Sequence, residues 1–280
     1  MKKAKVKIPA KINLTLDVFE KKDGYHEIKS LVASVSVFDE ITVRLRSDGK
    51  ITLKEKGIKS GCSAEKNNAV KAACEYFKEF GGRGADIILN KKIPVGGGMG
   101  GSSADIAGTL KALNLLYGEQ NDIKGLADKI GSDAGYMLCG GFAVISGRGE
   151  KVSKVKCEDR FYLLIIKGEG QISAKDCYEK FDETGRGSTE CTEKATEYLK
   201  NGKEEFFDVI KNDLYIPATA FAPYLKEEIS ELKKSGAKAA LMTGSGSCVY
   251  GIFADKKERE VAYLALKKTY KERLIKANTL

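Results

Sequence analysis

The stretch NKKIPVGGGMGGSSADIAGTLKAL, residues 90–113, constrains the fold more than any other part of the chain. An apolar strand pattern, ADIILN at 85–90, runs into five glycines between 96 and 101, then two serines. A helical pattern follows, with Ile106, Leu110, Leu113 and Leu116 on one face and Gly118 as its stop. Glycines carry no Cβ, so the backbone can approach a bound group closely and turn its N–H groups toward it. The helix adds unpaired N–H groups and the positive end of its dipole at the same point. The unit is a phosphate cradle in its chemistry. Pro94, Gly96, Gly97, Gly98, Gly100 and Gly101 form the turn, and the hydroxyls of Ser102 and Ser103 are placed to cap the helix or to bind a phosphate oxygen or Mg2+.

Two common phosphate motifs fail against it. Gly96, Gly98 and Gly101 satisfy GxGxxG, but a dinucleotide fold needs a further strand after the helix, and residues 122–130 carry a helical pattern. A Walker A loop ends in Gly-Lys-Ser/Thr, and no lysine lies between Lys92 and Lys111.

Around this unit the periodicity alternates between two and 3.6. KVKIPAKINLTLDVFE is expected as a strand interrupted at Pro9, and SVSVFDEITVRLR and KITLKEK as two more. NNAVKAACEYFKEFGG switches to helical spacing, with Val70, Ala73, Cys74 and Phe77 on one face and a glycine stop. GSDAG at 131–135 is expected as a loop. The polar stretch 147–160 precedes the buried-looking strand FYLLIIKG and marks a domain boundary, giving 1–155 and 156–280. The second half alternates helices (AKDCYEKFDE, TEYLKNGKEEFFDVIKNDLY, PYLKEEISELKKSG) with AALMTGSGSCVYGIF and a last helix over 255–273. The class is α+β, an α/β mixture in two domains.

At 280 residues with 42% apolar and 31% charged residues, the chain has the composition of a globular protein. Its longest apolar run, FYLLII, falls far short of the roughly 18 residues a membrane span needs. The basic start MKKAKVKIPAKIN has no apolar stretch behind it, so no secretory signal is expected and the location is expected to be cytoplasmic. Seven scattered cysteines without a CxxC pair argue for free thiols. A net charge of +9 is compatible with a polyanionic partner, but 48 basic and 39 acidic residues are evenly mixed, which disfavours a nucleic-acid-binding face.

Three motifs in order, PAKINL at 9–14, PVGGGMGGSSADIAG at 94–108 and MTGSGSCVYGIF at 242–253, make the chain resemble the GHMP kinase superfamily over nearly its full length. The resemblance implies an N-terminal ribosomal-protein-like ATP-binding domain, a C-terminal ferredoxin-like domain, and a cleft between them. It also implies ATP and Mg2+ as cofactors, a small-molecule alcohol as acceptor, and no membrane or nucleic-acid partner. A homodimer is compatible with it. PAKINLTLDV followed by DGYHEIKSL is similar to the branch whose substrate is a cytidine diphosphate derivative in isoprenoid precursor synthesis. His26, the only histidine, and Tyr25 would then hold the cytidine, with a neutral imidazole bonding the cytosine edge. Tyr178 would stack on the base, Asn13 would sit near the acceptor hydroxyl, and Gly244, Ser245 and Gly246 would line the substrate.

The same resemblance implies Asn67 near the adenine and a catalytic pair, Lys11 with Asp133, in which the ammonium holds the carboxylate ionised and aimed at the hydroxyl. Taken alone, Asp133 in a Gly-Ser turn suits an Asx turn. Asp105 matches a common residue of the superfamily, and the metal ligands stay unassigned. Ala174 departs from the usual threonine, which removes a hydroxyl. The alternatives are a mevalonate- or homoserine-kinase-like enzyme and, remotely, a basic nucleic-acid-binding protein.

Overall fold

The computed structural model describes residues 2–118, 121–184 and 187–280. Alternation in KVKIPAKIN carries the first strand, β1 (Lys3–Asn13), straight through Pro9, so the expected interruption does not occur. β2 (Asp17–Lys22) turns at Asp23 and Gly24, both at positive φ, into the 22-residue β3 (Tyr25–Arg46). The Asp-Gly pair is the residue choice that a tight hairpin with left-handed central residues demands. By compactness the chain forms two units, and β1 and β3 each contribute to both.

The first unit comprises the residues up to Ala10, Val37–Val95 and Gly100–Gly140. β4 (Ile51–Gly57) lies parallel to β5 (Gly84–Lys91), and β5 pairs antiparallel with β3 from Glu40↔Asn90 to Arg46↔Gly84. Between β4 and β5 runs α1 (Asn68–Phe80), which buries Ala69, Ala72, Ala73 and Tyr76. That face is offset from the expected one, and Cys74 is exposed. The alanines let α1 pack closely on α2 (Gly101–Tyr117), and Tyr76 Oη accepts from Asn121 Nδ2 at 2.7 Å.

α2 is buried nearly all round, including Asp105, Thr109 and Asn114. α3 (Ile123–Ile130) is capped by Asp122, which accepts from Lys124 N and Gly125 N. α4 (Ala134–Cys139) opens at Asp133, so Ala134 and Gly135 belong to a helix and not to the expected loop.

The second unit comprises Lys11–Ser36, Gly96–Met99 and Gly141–Leu280. Within it β6 (Phe142–Gly147) pairs with Ile28–Ala33 of β3 and with β7 (Lys151–Lys154). β8 (Tyr162–Ile166) precedes five helices: α5 (Ala174–Thr184), α6 (Thr192–Lys200), α7 (Phe206–Val209), α8 (Tyr215–Thr219) and α9 (Tyr224–Lys234). β9 (Ala239–Met242), β10 (Val249–Phe253), α10 (Lys256–Tyr270) and β11 (Leu274–Asn278) complete the chain. The strands form an antiparallel sheet in the order β11-β8-β10-β9.

Leu163 to Ile166 of β8 are wholly buried, as a continuous apolar run at the centre of a sheet requires. Two helix expectations change. TEYLKNGKEEFFDVIKNDLY is broken after α6 by the turn at Gly202 (φ 61°), and the last helix stops at Tyr270 because Lys271 (φ 47°) turns the chain back as β11. All seven cysteines are free thiols.

Candidate active site

Within the second unit, three segments far apart in sequence meet: Lys11–Asn13 at the end of β1, Gly96–Met99, and the turn Thr243–Cys248 between β9 and β10. The loop carbonyls are the common thread. Lys11 N donates to Met99 O at 3.1 Å, Ser247 N to Gly96 O at 3.2 Å and Cys248 N to Gly97 O at 3.3 Å. Thr243 Oγ1 accepts from Asn13 N at 3.1 Å and has one proton for two acceptors, Gly98 O at 3.1 Å and Asn13 Oδ1 at 3.3 Å. Lys11 Nζ also donates to Asn13 Oδ1, at 2.6 Å, and the threonine hydroxyl is nearer Gly98 O than Asn13 Oδ1. Asn13 Nδ2 donates to Ser30 Oγ at 2.8 Å, Ser30 Oγ donates in turn to Thr15 O, and Tyr250 Oη donates to Asn13 O at 2.7 Å. Lys11 and Asn13 are almost wholly buried, so an ammonium and an amide are held in fixed orientation in a low-dielectric setting.

The turn that meets the loop is itself anchored. Asn212 Nδ2 donates to Met242 O at 2.8 Å and to Gly244 O at 2.9 Å, while Gly244 and Gly246 adopt positive φ. Ser247 Oγ donates to Gly170 O. Thr243, Ser247, Ser30, Tyr250 and Asn212 were not singled out from sequence. Thr243 had a usable signal, a hydroxyl standing directly before the Gly-Ser-Gly turn.

The helix that follows the loop belongs to the first unit. Gly100 is the left-handed N-cap of α2 (φ 74°, ψ 23°), so Ser102 and Ser103 lie inside the first turn and do not cap it, contrary to one of their two expected roles. At those positions the backbone N–H groups have no acceptor within the helix. Asn67 caps α1 through Oδ1, which accepts from Ala69 N at 2.9 Å, and its Nδ2 donates to Glu55 Oε1 at 3.2 Å. Asp133 stands at the start of α4 without a side-chain cap bond, and its carbonyl accepts from Met137 N at 3.0 Å.

Asp105 is engaged by Lys91, whose Nζ donates to its two oxygens at 2.8 and 2.7 Å. Among the described residues no group of three or more His, Cys, Asp and Glu side chains gathers that could hold a metal.

Burial raises the Glu228 carboxyl from 4.5 to about 7 against the pull of Arg273. A carboxyl raised on folding contributes stability that is complete below the unfolded value near 4 and is lost as pH rises through about 7. The melting temperature is therefore expected to fall between pH 5 and pH 8 by at least about 3 °C. Glu228→Gln should remove part of that fall, and an unchanged profile in calorimetry would contradict the assignment.

A second cluster lies at the β2–β3 hairpin. His26 Nδ1 is 2.6 Å from Phe19 O, and because a carbonyl only accepts, this nitrogen carries the proton. Nε2 lies 2.9 Å from Asp182 Oδ1, off the line of a hydrogen bond. Tyr178 stacks on the imidazole (centroids 5.5 Å apart, planes at 17°), and Phe181 meets its edge. Tyr25 is 57% exposed, with the Arg148 guanidinium 3.9 Å from its ring centroid. A cavity of about 190 Å³ is lined here by Tyr25, His26, Arg148 and their neighbours. The only histidine is thus oriented by the fold, and Nε2 is the nitrogen turned away from the backbone.

Comparison with known proteins places these features in context. Residues 67–147 match the model of the GHMP kinases N-terminal domain, and residues 206–272 that of the GHMP kinases C-terminal domain. A protein of Desulfitobacterium hafniense (strain Y51) named 4-diphosphocytidyl-2-C-methyl-D-erythritol kinase is 34% identical over 263 residues, 90% of this chain and 87% of that one. A crystal structure of 4-(cytidine 5'-diphospho)-2C-methyl-D-erythritol kinase superposes with a TM-score of 0.84 at 29% identity over 99% of both chains. The mevalonate kinase of L. major, at 14% identity and a TM-score of 0.76 over 99% of this chain and 95% of that one, shares the fold.

Proposed function

This chain belongs to the GHMP kinases and, among them, to the 4-diphosphocytidyl-2-C-methyl-D-erythritol kinases, and from that premise we propose the residues that carry the reaction. It is a small-molecule kinase that phosphorylates 4-diphosphocytidyl-2-C-methyl-D-erythritol with ATP. The 2-hydroxyl is the acceptor in this reading, and isoprenoid precursor synthesis in the cytoplasm is its setting. No helix among the described residues is long and apolar enough to cross a membrane. The observation that carries the assignment of residues is the meeting of Lys11–Asn13, Gly96–Met99 and Thr243–Cys248 through the loop's own carbonyls. With those carbonyls held by the protein, the opposite edge of the loop turns to an anionic ligand.

Pro94, Gly96, Gly97, Gly98, Gly100 and Gly101 then shape the cradle for the ATP phosphates, with the first-turn N–H groups and hydroxyls of Ser102 and Ser103 facing them. Asn67 holds the start of α1 on the adenine side. Phosphoryl transfer passes through a loose transition state, so positioning and charge stabilisation do most of the catalytic work. Asp133 orients the acceptor hydroxyl and receives its proton, and Lys11 stabilises the charge that develops during transfer. Asn13, aligned by Lys11 and Ser30, contacts the substrate beside that hydroxyl. Mg2+, when bound, neutralises phosphate charge. Mg2+ with a nucleotide is held mainly by phosphate and water and takes few protein ligands. Tyr25, His26 and Tyr178 take the cytidine, and Gly244, Ser245 and Gly246 line the substrate. Residues 1–155 form the ATP-binding domain, which also supplies Asn13, Tyr25, His26 and Asp133 to the substrate, and residues 156–280 form the substrate-side domain.

The test is ADP release with three alcohols offered separately: the cytidyl substrate, mevalonate and homoserine. Turnover is expected with the cytidyl substrate alone. In the same assay His26→Ala should raise the KM for that substrate by roughly 3- to 10-fold, the loss of one hydrogen bond, and leave the KM for ATP in place. Turnover with mevalonate or homoserine would overturn the substrate, and an unchanged KM in His26→Ala would remove the histidine from the cytidine contact.

A further inference from the structure

Lys91 is the last residue of β5, where the chain leaves the sheet to form the glycine loop. Its ammonium is 2% exposed and has three protons for three carboxylate oxygens: Asp39 Oδ2 at 2.8 Å and the Asp105 pair at 2.8 and 2.7 Å. The second oxygen of Asp39 accepts from Lys92 N at 2.5 Å and Ile93 N at 2.8 Å, the two residues that lead into Pro94. Asp105 lies one turn into α2, just after the loop ends at Gly101. One side chain thus joins the strand before the loop to the helix after it, and Asp39 on β3 fixes the joint to the sheet.

Packing alone does not call for this arrangement. Removing three charges from water is costly, and apolar side chains of similar size stabilise a core as well or better. Both carboxylates nevertheless hold the Lys91 ammonium above its ordinary range, outweighing the burial that opposes its charge. The segment they bracket holds five glycines between 96 and 101, the residue type that loses most conformational freedom when ordered. A loop of that composition binds tightly only if its ends are held at the right separation beforehand.

We propose that the buried Lys91–Asp39–Asp105 cluster is a positioning device for ATP, a clamp that sets the spacing between the two ends of the phosphate loop. The clamp rests on the reading of that loop as the ATP cradle. Lys91 touches no phosphate and acts through the geometry of Pro94–Gly101.

The test compares wild type, Asp105→Asn, and a neutral triple variant with Lys91→Met, Asp39→Asn and Asp105→Asn. ATP affinity is measured by calorimetry, and KM is measured for both substrates. Losing charge-assisted bonds at the loop ends should weaken ATP by about tenfold or more in the triple variant and by less in Asp105→Asn. The KM for the cytidyl substrate should move less than about twofold, because nothing in the clamp orders the hairpin that holds the cytidine. A purely structural cluster would change the melting temperature and leave ATP affinity alone, or move both KM values together, and either result overturns the clamp. Asp105→Asn, which keeps the side-chain shape, decides the matter if the triple variant does not fold. A wild-type protein that binds no ATP would overturn the reading of the loop itself, and the clamp with it.

Discussion

Asp133→Ala is expected to lower turnover by about 10²–10⁴-fold while ATP affinity stays within about twofold, the range that loss of a positioned acid–base group produces. Asp133 opens α4 and makes no side-chain cap bond there. Asp133→Asn should lose nearly as much activity as the alanine variant, because it keeps the shape and removes the charge proposed to orient the hydroxyl. Steady-state kinetics of the two variants, with calorimetry as the control for folding, measures this directly. A loss below about tenfold in both would take Asp133 out of the chemistry and leave Lys11 and the cradle as the catalytic elements.

Gly98→Ala carries the second large effect, and its cause is steric. A Cβ at this position would lie 2.0 Å from Thr243 O and 2.9 Å from Thr243 C, in a residue with φ of +71°. Neither atom is the end of a flexible side chain. Both are backbone in the turn that Asn212 anchors. The left-handed conformation alone costs a non-glycine residue about 1–2 kcal/mol, and relieving the overlap must part Gly98 from Thr243 Oγ1. A destabilisation of about 3 kcal/mol or more follows, seen as a fall of roughly 5–10 °C in melting temperature. The KM for ATP should rise by about 100-fold, because a loop backbone displaced by about 1 Å misplaces the groups proposed to hold the phosphates. Gly97→Ala, at a glycine without positive φ, is the milder comparison. Native stability and KM in Gly98→Ala would show that the loop does not need its contact with Thr243.

Much of this was legible in the chain because it is local. The five glycines, the helix after them and the stop at Gly118 are properties of neighbouring residues, and α2 follows that pattern from Gly101 to Tyr117. The Asp-Gly turn before Tyr25 and the buried run of β8 are legible for the same reason. Where local signals compete, long-range pairing decides the outcome. KERLIKAN continues a helical composition after α10, yet Leu274–Asn278 pairs with Tyr162–Ile166, more than a hundred residues earlier, and becomes β11. In α1 the helix was plain, but its buried face was decided by the close alanine packing on α2. The family resemblance supplied what periodicity cannot, the roles expected of Lys11, Asp133 and His26.

What the sequence alone determined is therefore the set of parts: a phosphate-type turn with its helix, a hairpin presenting Tyr25 and His26, and a second glycine turn at 244–246. Each of these depends on backbone freedom and side-chain chemistry within a few residues. What only the tertiary structure decided is which atoms each part has left for a ligand. Thr243 reaches Gly98 across 145 residues and Asn13 across 230, and Lys91 reaches Asp39 across 52. Such bonds leave no period in the sequence, because a hydrogen bond depends on distance and direction in space. They tie the Asp105 carboxylate to Lys91, turn His26 Nδ1 to a backbone carbonyl, and engage the carbonyls of Gly96, Gly97, Gly98 and Met99.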